Sequence, residues 1–213
     1  MKFSYTQFYD VSRALHAKMA TYPGDPKFGL ERVKQLLHDG VELSTVRMGL
    51  HNGTHTDAPS HFVQGATTID KLSLVKFCGD AYVFDLTTVE GLIEEEHLKV
   101  FDSQLHEGLI VLLKTRNSSL DPNMFDEKFC ALTESAAQYL ASKQIKALGV
   151  DGPSVDRLHS GSHPVHHVCF DAGISVFENL YLHDVAAGEY VFFGFPLKIE
   201  GAEASPIRAV LVK

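Results

Sequence analysis

Four side chains that can bind a metal ion or transfer a proton lie within one short stretch of this chain. The stretch is His51-Asn52-Gly53-Thr54-His55-Thr56-Asp57-Ala58-Pro59-Ser60-His61, which contains three of the twelve histidines. These histidines and Asp57 all occupy odd-numbered positions, so an extended chain would present them on one face. Because zinc and related ions favour imidazole and carboxylate ligands, the spacing predicts a metal site. The alternative is a hydrogen-bonded loop without a metal.

The residues between these groups favour a strand that runs into a bent loop. A helix would also place His51 and His55 on one face, at positions i and i+4. Gly53, the neighbouring threonines and Pro59 make such a helix unfavourable. Two ligands of one ion bring their nitrogens to roughly 3 Å from each other, so the chain must bend between them. Gly53 permits that bend.

Further histidines follow much later in the chain, where the sequence indicates a short helix. The segment Ser162-His163-Pro164-Val165-His166-His167 opens this helix, since Pro164 suits a first turn and Gly173 suits the end. We expect His167 to pack near the site or to support a ligand rather than to bind a metal. His159 and His163 are expected to be loop residues.

Glu178 is a further candidate because its neighbours are apolar. It follows Ile174-Ser175-Val176-Phe177 and precedes Leu180 and Leu182. Burying a carboxylate among such residues is costly unless a cation, a hydrogen-bond network or a proton compensates for its charge. The alternative is that Glu178 is simply exposed at the end of a strand.

Length and composition favour one α/β domain and argue against two kinds of partner. The chain has 213 residues, 45% of them hydrophobic, which is enough for a sizeable core. The net charge is −8 with only 19 lysines and arginines, so nucleic acid is not an expected partner. No apolar run approaches the ~20 residues of a membrane span, and residues 1–6 contain no signal core.

The cysteines indicate the compartment. Cys78, Cys130 and Cys169 form an odd set without paired spacing, which fits free thiols in a reducing cytoplasm. No Cys-x-x-Cys is present, so a closed structural zinc site is not supported. Cys169 has no partner constellation that would make it a nucleophile. We therefore expect a cytoplasmic protein without a membrane partner.

Periodicity predicts a strand-rich α/β arrangement in one domain over residues 1–213. The predicted strands cover residues 43–50, 81–86, 109–113, 146–151, 190–199 and 206–212, with a turn at 200–202. A short helix is predicted over 94–101 and a longer one over 133–144, where Thr133 can cap the first turn. The order 109–113, 133–144, 146–151 predicts one strand–helix–strand unit.

These residues resemble the signature of the cyclase family of metal-dependent hydrolases, which includes bacterial kynurenine formamidases and isatin hydrolases. The pattern His-x-Gly-Thr-His-x-Asp-x-Pro-x-His carries the resemblance. Further matches follow in order along essentially the whole chain: Asp10-Val11-Ser12, Tyr22-Pro23-Gly24-Asp25, Gly149-Val150-Asp151, Pro153-Ser154-Val155-Asp156, His166-His167, Glu178-Asn179 and Ser205-Pro206-Ile207-Arg208-Ala209-Val210. The resemblance implies a swivelling β/β/α domain, commonly in homodimers or higher homo-oligomers whose partners help to close the site.

The resemblance also implies roles for particular residues. It makes His51, His55 and Asp57 ligands of a first metal, and Asp57, Glu178 and His166 ligands of a second, with the two carboxylates as bridges. His61 corresponds to the general acid/base. Tyr22 stands where formamidases usually have a tryptophan that lines the substrate pocket, and this chain contains no tryptophan.

The implied activity is hydrolysis of an amide carbon–nitrogen bond, with N-formylkynurenine as the arylformamidase substrate and kynurenine and formate as products. The implied cofactor is Zn²⁺, as one or two ions, and Mn²⁺ also suits these ligands. Two alternatives remain open. One is a hydrolase of cyclic amides such as isatin with a single manganese ion, and the other is a non-catalytic protein that binds or senses a metal.

Overall fold

A mixed sheet of nine strands forms the centre of the protein, which a computed structural model describes over residues 7–213. In this part of the chain the strands are β1 (Phe8–Asp10), β2 (Gly29–Lys34), β3 (Leu43–Arg47), β4 (His55–Asp57), β5 (Cys78–Asp85), β6 (Leu92–Ile93), β7 (Ile110–Lys114), β8 (Ala131–Leu132), β9 (Ala147–Val150), β10 (Ser175–Glu178), β11 (Gly188–Phe193), β12 (Ala204–Pro206) and β13 (Val210–Val212). The α-helices are α1 (Leu36–Asp39), α2 (Glu95–Lys99), α3 (Glu134–Ser142) and α4 (Pro164–Asp171). Residues 1–6, for which the sequence predicts no signal core, lie outside the described residues.

The central sheet combines a parallel centre with antiparallel flanks. Its strand order is β1-β13-β11-β5-β7-β9-β10-β4-β12. Strands β5, β7, β9 and β10 are parallel, and the other neighbours are antiparallel. Parallel neighbours require a crossover connection between them. Helix α3 lies in the crossover from β7 to β9, and helix α4 lies in the crossover from β9 to β10. The predicted strand–helix–strand unit and the strand-rich α/β class are therefore confirmed.

Two hydrophobic layers cover the faces of this sheet. Along β7, Ile110 and Leu112 belong to one layer and Val111 and Leu113 to the other, as the alternation of a strand requires. All four side chains are buried, so the prediction that this run is covered on both faces is correct. Burial of each such side chain stabilises the fold by about 1.5–3 kcal/mol. This rigid centre supports β10, whose last residue is Glu178.

The longest helix forms where the sequence predicts it. The Thr133 hydroxyl accepts a hydrogen bond from the Ala136 backbone N–H and so caps α3. Ala136, Ala137 and Leu140 are buried on the face that meets the sheet. The helix ends at Ser142, two residues before the predicted boundary at Gln144.

Three strand predictions are wrong in their extent. The strand predicted over 43–50 ends at Arg47 and pairs only with β2, in an exposed hairpin outside the central sheet. The strand predicted over 190–199 ends at Phe193, because Gly194-Phe195-Pro196 follows and proline has no N–H for a ladder. The strand predicted over 206–212 is divided, since Pro206 pairs with β4 whereas Val210 starts β13 beside β11.

No helix among residues 7–213 is both long enough and apolar enough to cross a membrane.

Candidate metal centre

Two antiparallel strands place the first and second groups of candidate ligands side by side. In the register of β4 and β10, His55 lies opposite Glu178 and Asp57 lies opposite Val176. Because side chains alternate along a strand, His55 and Asp57 share one face, which Glu178 also occupies. Thr56 faces away and its hydroxyl donates a hydrogen bond to the Val176 carbonyl at 2.7 Å. The long-range pairing of β4 with β10 therefore joins the two halves of the site.

His51 reaches the same site from a tight turn that precedes β4. Gly53 in this turn has a φ of +69°, and an added Cβ would lie 2.6 Å from Leu15 Cδ2. The positive φ favours glycine there, whereas the Leu15 methyl group is the end of a flexible side chain that could move aside. The turn brings His51 Nδ1 to 3.1 Å from Asp57 Oδ1. The predicted bend at Gly53 is confirmed, but the predicted order of a strand followed by a bent loop differs from the structure, where His55 and Asp57 lie in β4 after the bend.

His55 directs one ring nitrogen at two carboxylates. Its Nδ1 lies 2.9 Å from the Gly53 carbonyl, to which it can donate a hydrogen bond. Its Nε2 lies 3.4 Å from Asp57 Oδ1 and 3.3 Å from Glu178 Oε2. In the neutral ring with Nδ1 protonated, Nε2 presents a lone pair to these oxygens. Such an arrangement requires either a proton or a cation between them.

His166 repeats this arrangement on the other side of Asp57. Its Nδ1 lies 2.6 Å from Asp156 Oδ2, and its Nε2 lies 3.3 Å from Asp57 Oδ2 and 3.2 Å from Glu178 Oε1. Asp156 also accepts hydrogen bonds from the backbone N–H groups of Val165 and His166, at the start of α4. A carboxylate that orients the distal nitrogen of a histidine is the usual support of a metal ligand.

The buried polar atoms of the site fit divalent cations. Several of them have no hydrogen-bond partner among the described residues: His55 Nε2, both Asp57 oxygens and His166 Nε2. His51 directs its Nδ1 at Asp57, and its Nε2 lies 3.6 Å from Glu203 Oε1. Native proteins rarely leave buried polar atoms unpaired. Asp57 and Glu178 each direct one oxygen towards His55 and the other towards His166. Each carboxylate therefore lies between His55 and His166, within 3.4 Å of a nitrogen of both rings. Glu178 is only 3% exposed, which rules out the alternative of an exposed strand end.

In the metal-free site, the histidine rings and carboxylates shift each other's pKa values. Burial opposes protonation of His55, but the carboxylates of Asp57 and Glu178 outweigh it and raise the pKa of His55 to about 9. Burial and Asp57 oppose ionisation of Glu178, but hydrogen bonds from His166 and His55 lower its pKa to about 2. A bound cation would replace these protons, so metal uptake should release them.

The stability of the metal-free protein is expected to decrease as the pH rises. The pKa of His55 is raised from 6.5 to about 9, so its contribution is complete below pH 6.5 and is lost above pH 9. The increase in Tm caused by metal should grow over the same range, because the metal requires the unprotonated ring. Thermal melts of chelator-treated and metal-loaded protein between these pH values measure both trends. A His106→Gln variant, altered at an exposed histidine, should keep them, whereas a flat metal-free profile would contradict this expectation.

His61 lies beside the ligands, with a ligand atom within 4.8 Å of those of His51 and Asp57. It ends a short 3-10 helix, Pro59–His61, and its ring centroid lies 4.2 Å from that of His51. Burial lowers the pKa of His61 to about 4, with Asp57 opposing this effect and His51 adding to it. The ring is therefore neutral near pH 7 and can accept a proton. Cys169, in contrast, is buried, which raises its pKa to about 12 and makes it a poor nucleophile.

A cavity of about 780 Å³ opens onto the metal centre. His51, Asp57, His61, His166 and Glu178 all line it. Its volume lies in the usual range of cavities that bind small molecules.

Aromatic residues in two clusters line this cavity. Tyr22 lines the wall, as the sequence predicts, and its ring packs edge-to-face on Phe125 at 5.4 Å between centroids. Phe62 packs on His61 at 4.0 Å and on His163 at 4.5 Å. His163 is a loop residue, as expected; it precedes α4 as the cap residue and lines the cavity.

The sequence does not predict that Asp156 orients His166, but it does predict that His167 packs near the site without binding a metal. Asp156 lies ten residues before His166 and has no periodic relation to it, so only the folded loop shows their contact. His167 is partly exposed and packs 6.3 Å from Phe62 without contacting the carboxylates, as expected. His159 lies in a loop with a φ of +60°, also as expected.

Known proteins share both the sequence pattern and the fold. A family model described as Putative cyclase matches residues 9–157. A kynurenine formamidase of Bacillus cereus is 33% identical over 207 residues, which cover 97% of each chain. A solved structure described as a potential metal-dependent hydrolase with cyclase activity is 35% identical, with a TM-score of 0.85 over 97% of each chain.

A more distant solved structure has the same fold. An isatin hydrolase bound to the product analogue thioisatinate is 22% identical, with a TM-score of 0.87 over 97% of this chain and 92% of that one. The predicted resemblance and the fold class that it implied are confirmed by these matches. The chain belongs to the cyclase family.

Proposed function

We propose that this protein is a metal-dependent hydrolase that cleaves the amide carbon–nitrogen bond of an aryl formamide. The best-supported substrate is N-formylkynurenine, which would give kynurenine and formate. The observation that carries this proposal is the set of buried, unpaired ligand atoms that converge beside His61 at the base of an aromatic-walled cavity. The name of the Bacillus cereus relative supports the choice of substrate. The reaction would belong to tryptophan breakdown in the cytoplasm, where the free cysteines stay reduced.

Different residues of the protein would bind the metal, transfer the proton and exclude water in such a reaction. Divalent ions held by His51, His55, Asp57, His166 and Glu178 would supply Lewis-acid polarisation and a water of lowered pKa. His61, neutral near pH 7, accepts the proton that the attacking water loses. It then donates this proton to the leaving nitrogen, since the amine must leave neutral. Phe62 covers the rings of His61 and His166 and limits the access of bulk water.

We further propose two ions, with zinc as the natural metal and manganese as the alternative. The bridging directions of Asp57 and Glu178 support two positions rather than one. Histidine nitrogens and carboxylate oxygens are suitable ligands for both metals.

Tyr22 is proposed to bind the aromatic ring of the substrate. Its ring is held by Phe125 on the cavity wall, and its hydroxyl adds a polar group that tryptophan would not place there.

A substrate panel on protein of measured metal content tests the function. N-formylkynurenine, formanilide and isatin should be compared, with zinc-loaded, manganese-loaded and chelator-treated protein. Preferential release of formate from the two formamides, dependent on metal, would support the proposal. Faster ring opening of isatin by manganese-loaded protein would replace it with the cyclic amide alternative. Inactivity of metal-loaded protein on all three would favour a non-catalytic metal-binding protein.

The exposed hairpin supports a further proposal, that the protein forms a homodimer. The hairpin comprises β2, α1 and β3, and none of its residues from Leu30 to Arg47 is buried. Its large apolar side chains are exposed by 47–95%: Leu30, Val33, Leu36, Leu37, Val41, Leu43 and Val46. An isolated two-stranded hairpin is marginally stable in water. So many exposed apolar side chains on one hairpin indicate an interaction site, and we propose a second copy of this chain as its partner.

Substitution of this hairpin surface is expected to produce monomers. A Leu30→Glu, Val46→Glu protein would place like charges directly opposite each other, since these residues pair across β2 and β3. Light scattering after size exclusion should give a dimer for the unaltered protein and a monomer for the variant. A Val100→Glu protein, altered at an exposed apolar residue outside the hairpin, should remain a dimer. A monomeric unaltered protein, or a dimeric hairpin variant, would contradict the proposed interface.

A further inference from the structure

The cavity beside the metal centre contains a cation that the proposed reaction does not use. Among the described residues that line the cavity, Arg13 is the only lysine or arginine. It follows β1 along the chain and lies in the cavity wall as a partly buried side chain. Arginine remains protonated in proteins, so Arg13 contributes a fixed positive charge to the cavity.

Arg13 is held by the same elements that hold the metal ligands. Its backbone N–H donates to the Thr54 hydroxyl at 2.8 Å, and this hydroxyl donates to the Asn179 carbonyl at 2.6 Å. Thr54 directly precedes His55, and Asn179 directly follows Glu178. The position of Arg13 is therefore fixed relative to the metal centre, as a specificity residue requires.

The guanidinium of Arg13 lacks a carboxylate partner among the described residues. Its Nη2 donates to the backbone carbonyls of Asp151, at 3.0 Å, and Asn117, at 3.4 Å, while its Nε is buried without any hydrogen-bond partner. The Tyr181 ring, 5.9 Å from the guanidinium carbon, adds a cation–π contact. Buried charges are normally paired. Arg13 thus retains hydrogen-bond donors for an anion from outside the chain.

The nearby carboxylates are already engaged elsewhere. The Asp151 side chain accepts four hydrogen bonds from the backbone and hydroxyl groups of Thr115 and Ser118. Asp126, also in the cavity wall, is ion-paired with Arg116 at 3.0 Å. Asp57 and Glu178 belong to the metal centre. The Asp151 carboxylate acts on Arg13 through its charge, but no acid of the described residues forms an ion pair with the guanidinium.

We propose that Arg13 binds a carboxylate of the substrate, so that the enzyme selects anionic aryl amides over neutral ones. This inference rests on the proposed amide hydrolase function. The formamide group would lie at the metal centre and the aromatic ring against Tyr22, with the acidic side chain of the substrate reaching Arg13. A guanidinium pairs with a carboxylate through two parallel hydrogen bonds, which gives orientation as well as affinity.

The test compares two substrates that differ only in charge. They are 4-(2-formamidophenyl)-4-oxobutanoate and its carboxamide, and kcat/KM is measured for each with zinc-loaded protein. The unaltered enzyme should prefer the carboxylate by about 10- to 100-fold, the range expected for a charge-assisted hydrogen bond. A preference below about twofold would overturn the proposal without recourse to any variant.

Variants then assign the preference to Arg13. Arg13→Gln should reduce the ratio to near one, mainly through a higher KM for the carboxylate, and Arg13→Lys should restore part of it. Arg208→Gln, at an exposed arginine that is paired with Asp10 and does not line the cavity, should keep the full ratio. Equal losses on both substrates in Arg13→Gln would show a structural role only and would overturn the proposal.

A binding measurement separates this proposal from the proposed function. If neither compound is hydrolysed, amide hydrolysis is wrong, and 3-benzoylpropanoate is titrated into metal-loaded protein by calorimetry. Any coordination of this carboxylate to metal is common to both proteins compared. A Kd at least about 10-fold weaker for Arg13→Gln than for the unaltered protein would still support the anion site. Equal Kd values would overturn it.

Discussion

An Asp57→Ala protein is expected to lose both its metal and its activity. Asp57 is 1% exposed, and its two oxygens face His55 on one side and His166 on the other. Its removal would leave the two proposed ion positions without the carboxylate that is proposed to bridge them. Because a metal contributes several kcal/mol to the transition state of hydrolysis, kcat/KM should fall roughly a thousandfold or more. Elemental analysis of dialysed protein and formate release measure the two losses.

Two comparison variants test whether the loss of metal is specific to the removal of Asp57. Asp156→Asn keeps every proposed ligand but weakens the support of His166 Nδ1, so metal affinity should fall by about 10- to 100-fold. Asp85→Ala, at an exposed carboxylate outside the site, should change neither property. Full metal content in Asp57→Ala would contradict the bridging role.

A His61→Ala protein is expected to keep its metal but to lose most of its turnover. His61 stacks beside His51 and lines the cavity, and no carboxylate of the described residues forms an ion pair with it. Loss of a general acid/base typically costs about 10²- to 10⁴-fold in kcat, and we expect a loss in this range. The measurement is kcat at saturating N-formylkynurenine on protein with the metal content of the unaltered enzyme.

The matched comparison for His61 is His167→Ala, which removes a histidine that lies near the same aromatic cluster but contacts no ligand. That variant should retain activity. Turnover within about tenfold of the unaltered enzyme in metal-loaded His61→Ala would remove His61 from the mechanism.

Local sequence signals predicted those parts of the fold that depend on local interactions. Helix α3 is set by its Thr133 cap and its apolar stripe, and both are visible in a few residues. Strand β7 is buried on both faces and therefore shows as a continuous apolar run. The strand over 43–50 was mispredicted because its alternation arises in an exposed hairpin, where no core determines the extent of pairing.

The candidate site also has one part that local sequence predicts and one part that depends on contacts between distant segments. His51, His55, Asp57 and His61 are close in sequence, so their types and spacing alone predicted a metal site. The contribution of Glu178 depends on β4 pairing with β10, a contact between distant segments that periodicity does not encode.

Arg13 illustrates the limit of sequence reasoning most clearly. It lies outside any motif, and its significance comes from what surrounds it in the folded cavity: carbonyl acceptors, an aromatic ring and no available carboxylate. Residues of this kind are found only after the fold brings their neighbours together.

The most direct measurement is anomalous diffraction from crystals of the zinc-loaded protein, with data collected above and below the zinc absorption edge. We expect two anomalous peaks on either side of Asp57, one within about 2.3 Å of His55 Nε2 and the other within about 2.3 Å of His166 Nε2. Crystals of active protein with no peak near Asp57 and Glu178 would contradict the metal centre on which the proposed function depends.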